Sequence, residues 1–241
     1  MFTERNADHV EDALWAKSLS LGQGDETFIL CVVDTCMMPR DLIDQAKQQV
    51  QVMTGVSTDQ MMVSATHTHS APSAMGCLGS RVDPAYARLL PSLLAQSMIE
   101  AFQRMEPSRL AWAQKDDWDH TFNRRWIRRP DRVFTDPFGE VNVRAHMHPG
   151  HESLDAIAPS GPVDPELSVL GVQSMEGKWL ALLANYSMHY FGSPLLSADC
   201  YGRFADHLAD LLDAGDGFVA IMSQGTSGDL MWMDYSAPRQ N

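Results

Sequence analysis

Thr27-Phe28-Ile29-Leu30-Cys31-Val32-Val33-Asp34 is a nearly continuous apolar run. It is short, rich in β-branched and aromatic residues, and preceded by Gly22-Gln23-Gly24-Asp25. Those properties predict a β-strand buried on both faces. Upstream of the turn, Ala13-Leu14-Trp15-Ala16-Lys17-Ser18-Leu19-Ser20-Leu21 alternates well enough for a second strand, and the pair reads as a hairpin. Downstream, from Arg40 to Met53, Leu42, Ile43, Ala46, Val50 and Met53 recur at helical spacing, with Pro39 near the helix start. Asp59 to Ala65 then returns as a strand. The result is a strand-helix-strand unit whose carboxyl edge, where ligand sites in such sheets gather, carries Thr66-His67-Thr68-His69-Ser70-Ala71-Pro72.

Side chains at i and i+2 of an extended segment point the same way, so His67 and His69 can face one cleft. Thr66, Thr68 and Ser70 leave room for a ligand and supply hydroxyls, and Pro72 closes the strand because it cannot donate to a ladder. Imidazole is the commonest metal ligand and the usual acid or base near neutral pH. On spacing alone two readings stand: a metal or catalytic pair, or two histidines that only hydrogen-bond backbone carbonyls. Asp34, at the end of its own strand, either faces the same edge or fixes the loop that follows.

Farther along, an amphipathic helix is expected from Ala85 through Ala101, with Leu89, Leu90, Leu93, Leu94 and Met98 as its core stripe. Arg109 to Gln114 reads as a strand. Asp116 to Pro165 reads as a long irregular region, of the kind that is functional or flexible in a compact domain. Within it His146, His148 and His151 form a His-x-His-x-x-His cluster that Pro149 and Gly150 make flexible. Leu167 to Val172 and Trp179 to Tyr186 form a second hairpin that delivers His189. Gly202 to Asp213 is expected as a helix with Phe204, Leu208, Leu211 and Leu212 inward, and Phe218 to Gln224 as the last strand, running into Gly225-Thr226-Ser227-Gly228-Asp229-Leu230. That turn is not a GxSxG elbow.

With 241 residues and 44% hydrophobic content, the chain can bury a sizeable core as one domain. Its net charge of -13 and pI near 4.9 argue against a nucleic-acid surface, which needs a concentrated basic face. No apolar run approaches the roughly 20 residues of a membrane helix. Cys31, Cys36, Cys77 and Cys200 form no CxxC pair and read as free thiols in a reducing compartment. Met1 to Asp12 is polar and acidic rather than a signal peptide. The expectation is therefore a soluble, cytoplasmic protein.

Ala65-Thr66-His67-Thr68-His69-Ser70-Ala71-Pro72 resembles, at every position, the Gly/Ala-Thr-His-Thr-His-Ser-Gly/Ala-Pro motif of the neutral/alkaline (non-lysosomal) ceramidases. Three more segments resemble elements of that family's amino-terminal catalytic domain: Asn123-Arg124-Arg125, the stretch from Asn185 through His189 to Gly202, and Gln224-Gly225 to Asp229-Leu230. The resemblance implies zinc held by His67 and His189, His69 beside the metal, Arg124 on the substrate's polar end, and Asp229 as the catalytic carboxylate. It implies hydrolysis of an N-acyl amide bond, in a ceramide or another acylated amine, by metal-activated water.

There are departures. Met231 and Trp232 occupy the positions of the family's serine and proline after the Gly-Asp turn. The glutamate and tyrosine that complete the family's zinc site would fall beyond Asn241, and the family's opening strand would fall before Asp12. Within this sequence Asp199 is an alternative oxygen donor. The family also includes secreted members, which bears on location. The expectation is one α/β domain over 1–241, incomplete relative to the family: mixed, mostly buried β-sheets with flanking helices in a layered sandwich. A zinc amidase and a non-catalytic relative that keeps a binding cleft are the two functional readings.

Overall fold

A computed structural model describes residues 6–77 and 79–239. The chain divides into two compact units: 1–113 with 169–185 and 190–223, and 114–168 with 186–189 and 224–241.

The first unit is organised by the apolar run quoted above. Strands β1 (Ala16–Gln23) and β2 (Glu26–Val33) pair antiparallel with Gln23 opposite Glu26, so Gly24 and Asp25 alone make the turn. Gly24 has a φ of 60°, the left-handed conformation that such two-residue hairpin turns demand. Helix α1 (Arg40–Thr54) crosses over to β3 (Met61–Ala65), which lies parallel to β2 and completes a three-stranded sheet in the order β1-β2-β3. This third strand begins two residues later than its sequence suggests. Ser57 and Gln60 cap each other across a short 3-10 turn over Thr58–Gln60, and that local hydrogen bonding outcompetes extension.

Helix α2 (Pro84–Gln103) starts where Asp83 Oδ1 accepts from the amides of Ala85 and Tyr86, at 2.9 and 3.1 Å, with Pro84 in the first turn. It buries Leu90, Pro91, Leu94, Ala95 and Met98 but leaves Leu89 and Leu93 exposed, so its core face is as wide as the expected stripe but rotated by about one residue around the helix axis. Ile29, Cys31 and Val33 of β2 pack against α1 and α2 through Leu42, Ala46, Val50, Leu90, Leu94 and Met98. The alternate residues Leu30 and Val32 pack with Leu19, Val172, Ala181 and Ile221. Burial on both faces is thus the physical meaning of the continuous apolar run.

Val172, Ala181 and Ile221 belong to a second sheet in the order β13-β12-β11-β4, from β4 (Ser108–Asp116), β11 (Glu166–Ser174), β12 (Trp179–Tyr186) and β13 (Val219–Gln224). The architecture is the expected layered α/β sandwich, helices over one sheet and that sheet over another. Helix α3 (Asp199–Leu211) begins three residues before Gly202 and buries Tyr201 and Ala205, whereas Leu211, expected inward, is 81% exposed.

In the second unit the region expected to be irregular holds six short strands: β5 (Phe122–Asn123), β6 (Arg125–Arg128), β7 (Phe134–Thr135), β8 (Val141–Val143), β9 (Ala145–Met147) and β10 (Ala156–Pro159). They pair as β10-β6-β9, as β7-β8, and as β5 with β14 (Leu230–Met231). Strands of two to four residues are too short for a period-2 pattern to register in sequence.

Candidate active site

The histidine motif leaves β3 through a backbone kink. The Thr66 amide bonds Val33 O and the His67 amide bonds Thr35 O, both carrying on the β2–β3 pairing. His67 itself has a φ of 65°, a conformation uncommon outside glycine and asparagine and concentrated at functional sites. The kink presents the His67 ring to the loop after β2, where Nδ1 donates to Cys36 O at 2.7 Å. A carbonyl can only accept, so Nδ1 carries the proton and Nε2 of the neutral ring carries the lone pair. The His69 ring meets His67 edge-on, centroids 4.8 Å apart, and stacks on Tyr190 at 3.9 Å. Two of the motif's three hydroxyls are committed to scaffolding: Thr68 donates to Ser197 O and Ser70 to Ser193 O.

Cys36 joins this group. Its Sγ lies 3.6 Å from His67 Nδ1, and among the described residues Cys36, His67 and His69 offer ligand atoms all within 4.8 Å of one another. Burial, with the neighbouring Cys77 thiol, pushes the Cys36 thiol up to about 11, so without a cation beside it the sulfur is protonated at neutral pH. Asp34 is buried just upstream and accepts from the Trp15 amide at 2.9 Å. Burial raises its carboxyl to about 6 against the opposing pull of that amide and of Lys17.

The second unit brings His189, Arg124 and Asp229 together. His189 is buried, and its Nδ1 donates to Ser227 O at 3.1 Å, which again assigns the lone pair to Nε2. Arg124 is buried too. Its Nε and Nη2 donate to Gly228 O at 3.1 and 2.7 Å, and Nη2 lies 3.4 Å from His189 Nε2. The Arg124 amide bonds Asp229 O, and Asn123 Nδ2 donates to Asp229 Oδ2 at 3.2 Å. One tripeptide, Asn123-Arg124-Arg125, therefore grips both the backbone and the carboxylate of the Gly-Asp turn. Ser227 contributes its carbonyl to the site, and Met231, at the position where a serine was expected, is buried.

Other sequence candidates have structural work. Asp199 accepts from the amides of Phe191, Gly192 and Cys200, so the alternative oxygen donor is spent on holding the 191–200 loop. His148 Nδ1 and the Tyr235 hydroxyl are hydrogen-bonded at 2.5 Å, and His151 Nδ1 donates to Ala237 O. Sequence reasoning passed over Cys36, Tyr190 and the role of Asn123. Cys36 had a signal in standing two residues past Asp34, and Asn123 in preceding Arg124; Tyr190 had none beyond adjacency to His189.

Each unit holds one histidine oriented as a metal ligand is. His67 and His189 each have Nδ1 on a backbone carbonyl, the outer-shell arrangement that orients histidine ligands and presents Nε2.

No protein-family model matches the chain. Neutral ceramidase A of Dictyostelium discoideum is 23% identical over an alignment of 217 residues that covers 82% of this chain and 28% of that protein. Among solved structures, a ceramidase complexed with C2 superposes with a TM-score of 0.67 at 18% identity, covering 91% of this chain and 33% of its own. The neutral ceramidase of Pseudomonas aeruginosa gives 0.64 at 19% identity, covering 86% and 32%. The chain thus spans about a third or less of these relatives. No helix among the described residues is long and apolar enough to cross a membrane. The chain resembles the neutral ceramidases in sequence and carries their fold over most of its own length.

Proposed function

We propose that the chain carries the histidine-bearing part of a zinc-dependent amidohydrolase that cleaves an N-acyl amide bond in a ceramide-like lipid or another acylated amine. The observation that carries this reading is the paired tautomer: His67 and His189 each present Nε2 with Nδ1 fixed on a carbonyl. Both are positions at which the resemblance to the ceramidases expects a ligand. Zinc, when bound, supplies a Lewis acid that polarises the amide carbonyl and lowers the pKa of water to about 7.

The chain's own groups then have separable tasks. Asp229, oriented by Asn123, takes the proton of the attacking water and passes one to the leaving nitrogen. Arg124, anchored on Gly228 O, holds a cation for the carbonyl oxygen or the polar end of the substrate. His69, braced by Tyr190, orients the reacting amide.

A second reading, a non-catalytic relative that retains a binding cleft, is favoured by two observations. The Arg124 guanidinium lies 3.4 Å from the very nitrogen that would ligate zinc, and Met231 supplies no hydroxyl where a serine was expected.

Elemental analysis of wild type, His67→Ala and His189→Ala, with hydrolysis of a fluorogenic N-acyl substrate, separates the two. About one zinc per chain, lost in either histidine variant, supports the enzyme. So does Asp229→Ala keeping zinc while hydrolysis falls at least about 100-fold. A wild type without zinc or amidase activity overturns the enzyme reading for this chain, leaving an incomplete site or a non-catalytic relative.

A further inference from the structure

Arg128 lies outside the groups just assigned, in the β10-β6-β9 sheet of the second unit. It is 2% exposed, and its Nε and Nη1 are buried without a hydrogen-bond acceptor. No carboxylate of the described residues lies within ion-pair distance of it, although the chain has 31 acidic residues against 18 basic ones. Its neighbours Arg129 and Arg132 by contrast pair with Asp131 and Asp155. A buried ion without a partner costs several kcal/mol, so this guanidinium is expensive unless something accepts from it.

Phe134 does not supply that acceptor. Arg128 Cζ stands 3.5 Å from the ring centroid, a separation at which an edge-on guanidinium would drive its nitrogens into the ring. The two planes are therefore stacked. The ring stabilises the charge through the face, whereas the N–H donors lie in the guanidinium plane and point past the ring.

His146 stands beside them. It is opposite Trp126 in the β6–β9 ladder, hence on the strand face that Trp126 shares with Arg128, and its ring centroid is 6.4 Å from that of Phe134. Its Nδ1 is likewise buried without a partner. Burial and the Arg128 charge lower its pKa, which keeps the ring neutral and able to donate one hydrogen bond. Three unsatisfied polar atoms, two on the stacked Arg128 cation and one on His146, which donates from Nδ1 in one of its two neutral tautomers, thus belong to residues on one face of this small sheet.

We propose that Arg128, Phe134 and His146 form a binding site for an oxyanion, the carboxylate or phosphate group of a small ligand, which accepts in-plane from Arg128 and from His146. Planar, forked donation to two oxygens is what distinguishes guanidinium from ammonium in such sites. Phe134 is 55% exposed and belongs to a two-residue strand, which makes it the side chain that shifts to admit the ligand.

The test is thermal unfolding of the full chain in sodium acetate, sodium phosphate and sodium chloride at matched ionic strength. Wild type should show a saturable rise in Tm with acetate, phosphate or both, over chloride. The rise should vanish in Arg128→Met, weaken at least about tenfold in apparent affinity in Arg128→Lys, and persist in Arg129→Met. A wild type indifferent to acetate and phosphate overturns the site, as does an equal rise in Arg128→Met. Should Arg128→Met fail to fold, the Arg128 Nε–H resonance of wild type decides. Saturable movement with acetate or phosphate but not chloride supports the site and tells carboxylate from phosphate; a resonance that stays put overturns it.

Discussion

His67 shows how much a single residue can be asked to do. It sits at a φ of 65°, a conformation that costs about 1 kcal/mol or more for a residue with a Cβ, and in return its Nδ1 meets Cys36 O while the ring points away from the strand. Asp34, two residues before Cys36, is the more informative residue for pH. Its folded carboxyl is raised to about 6 from 3.8, so the folded chain binds the proton more tightly than the unfolded one. The stability this confers is fully present below about pH 4 and is lost as pH rises through about 6. Asp34→Asn, which keeps an acceptor for the Trp15 amide, should flatten that decline and raise stability at pH 7 by about 3 kcal/mol, the difference between 3.8 and about 6 expressed as free energy. Urea unfolding at pH 4 and pH 7 measures it; equal losses in wild type and variant would remove Asp34 as the cause.

At the scale of elements, helix ends and close contacts decide the outcome of substitutions that look neutral in sequence. Asp83 caps α2 through two backbone amides, so Asp83→Ala should cost about 1 kcal/mol in chemical denaturation. Gly202 lies in α3, where replacement by alanine ordinarily gains about 1 kcal/mol of helix propensity. Here a Cβ would meet Ala198 Cβ at 2.8 Å. Gly202→Ala should therefore lower Tm rather than raise it, and an unchanged or higher Tm would show that the first turn of α3 yields freely. The long elements were legible because their periodicity is: α1 and β12 begin and end within a residue of expectation. The 116–165 region was not, because its strands are too brief to carry a pattern and are defined by their partners. Asp59 and Gln60 were misassigned because a capping interaction with Ser57 overrides their place before a strand.

For the molecule as a whole, the stability of the first unit rests on β2 being shared by two cores. Ile221, fully buried in the layer between the sheets, should cost about 3 kcal/mol on replacement by alanine, read as a drop in the urea midpoint without loss of fold. A much smaller loss would mean that layer is loosely packed. The layered α/β class, the strand-helix-strand unit and the histidine motif at its edge followed from the sequence alone, since hydrophobic period and turn chemistry are local properties. His67, His69, Arg124, His189 and Asp229 were likewise named from sequence, through the resemblance of their segments to a known family. What only the tertiary structure decided is what those residues touch: the carbonyls of Cys36 and Ser227 that set two tautomers, the grip of Asn123 and Arg124 on the Gly-Asp turn, and the unpartnered Arg128 under Phe134. Each depends on backbone groups or side chains that no periodicity reports, and all but the Arg128–Phe134 pair are brought together from segments distant in the chain.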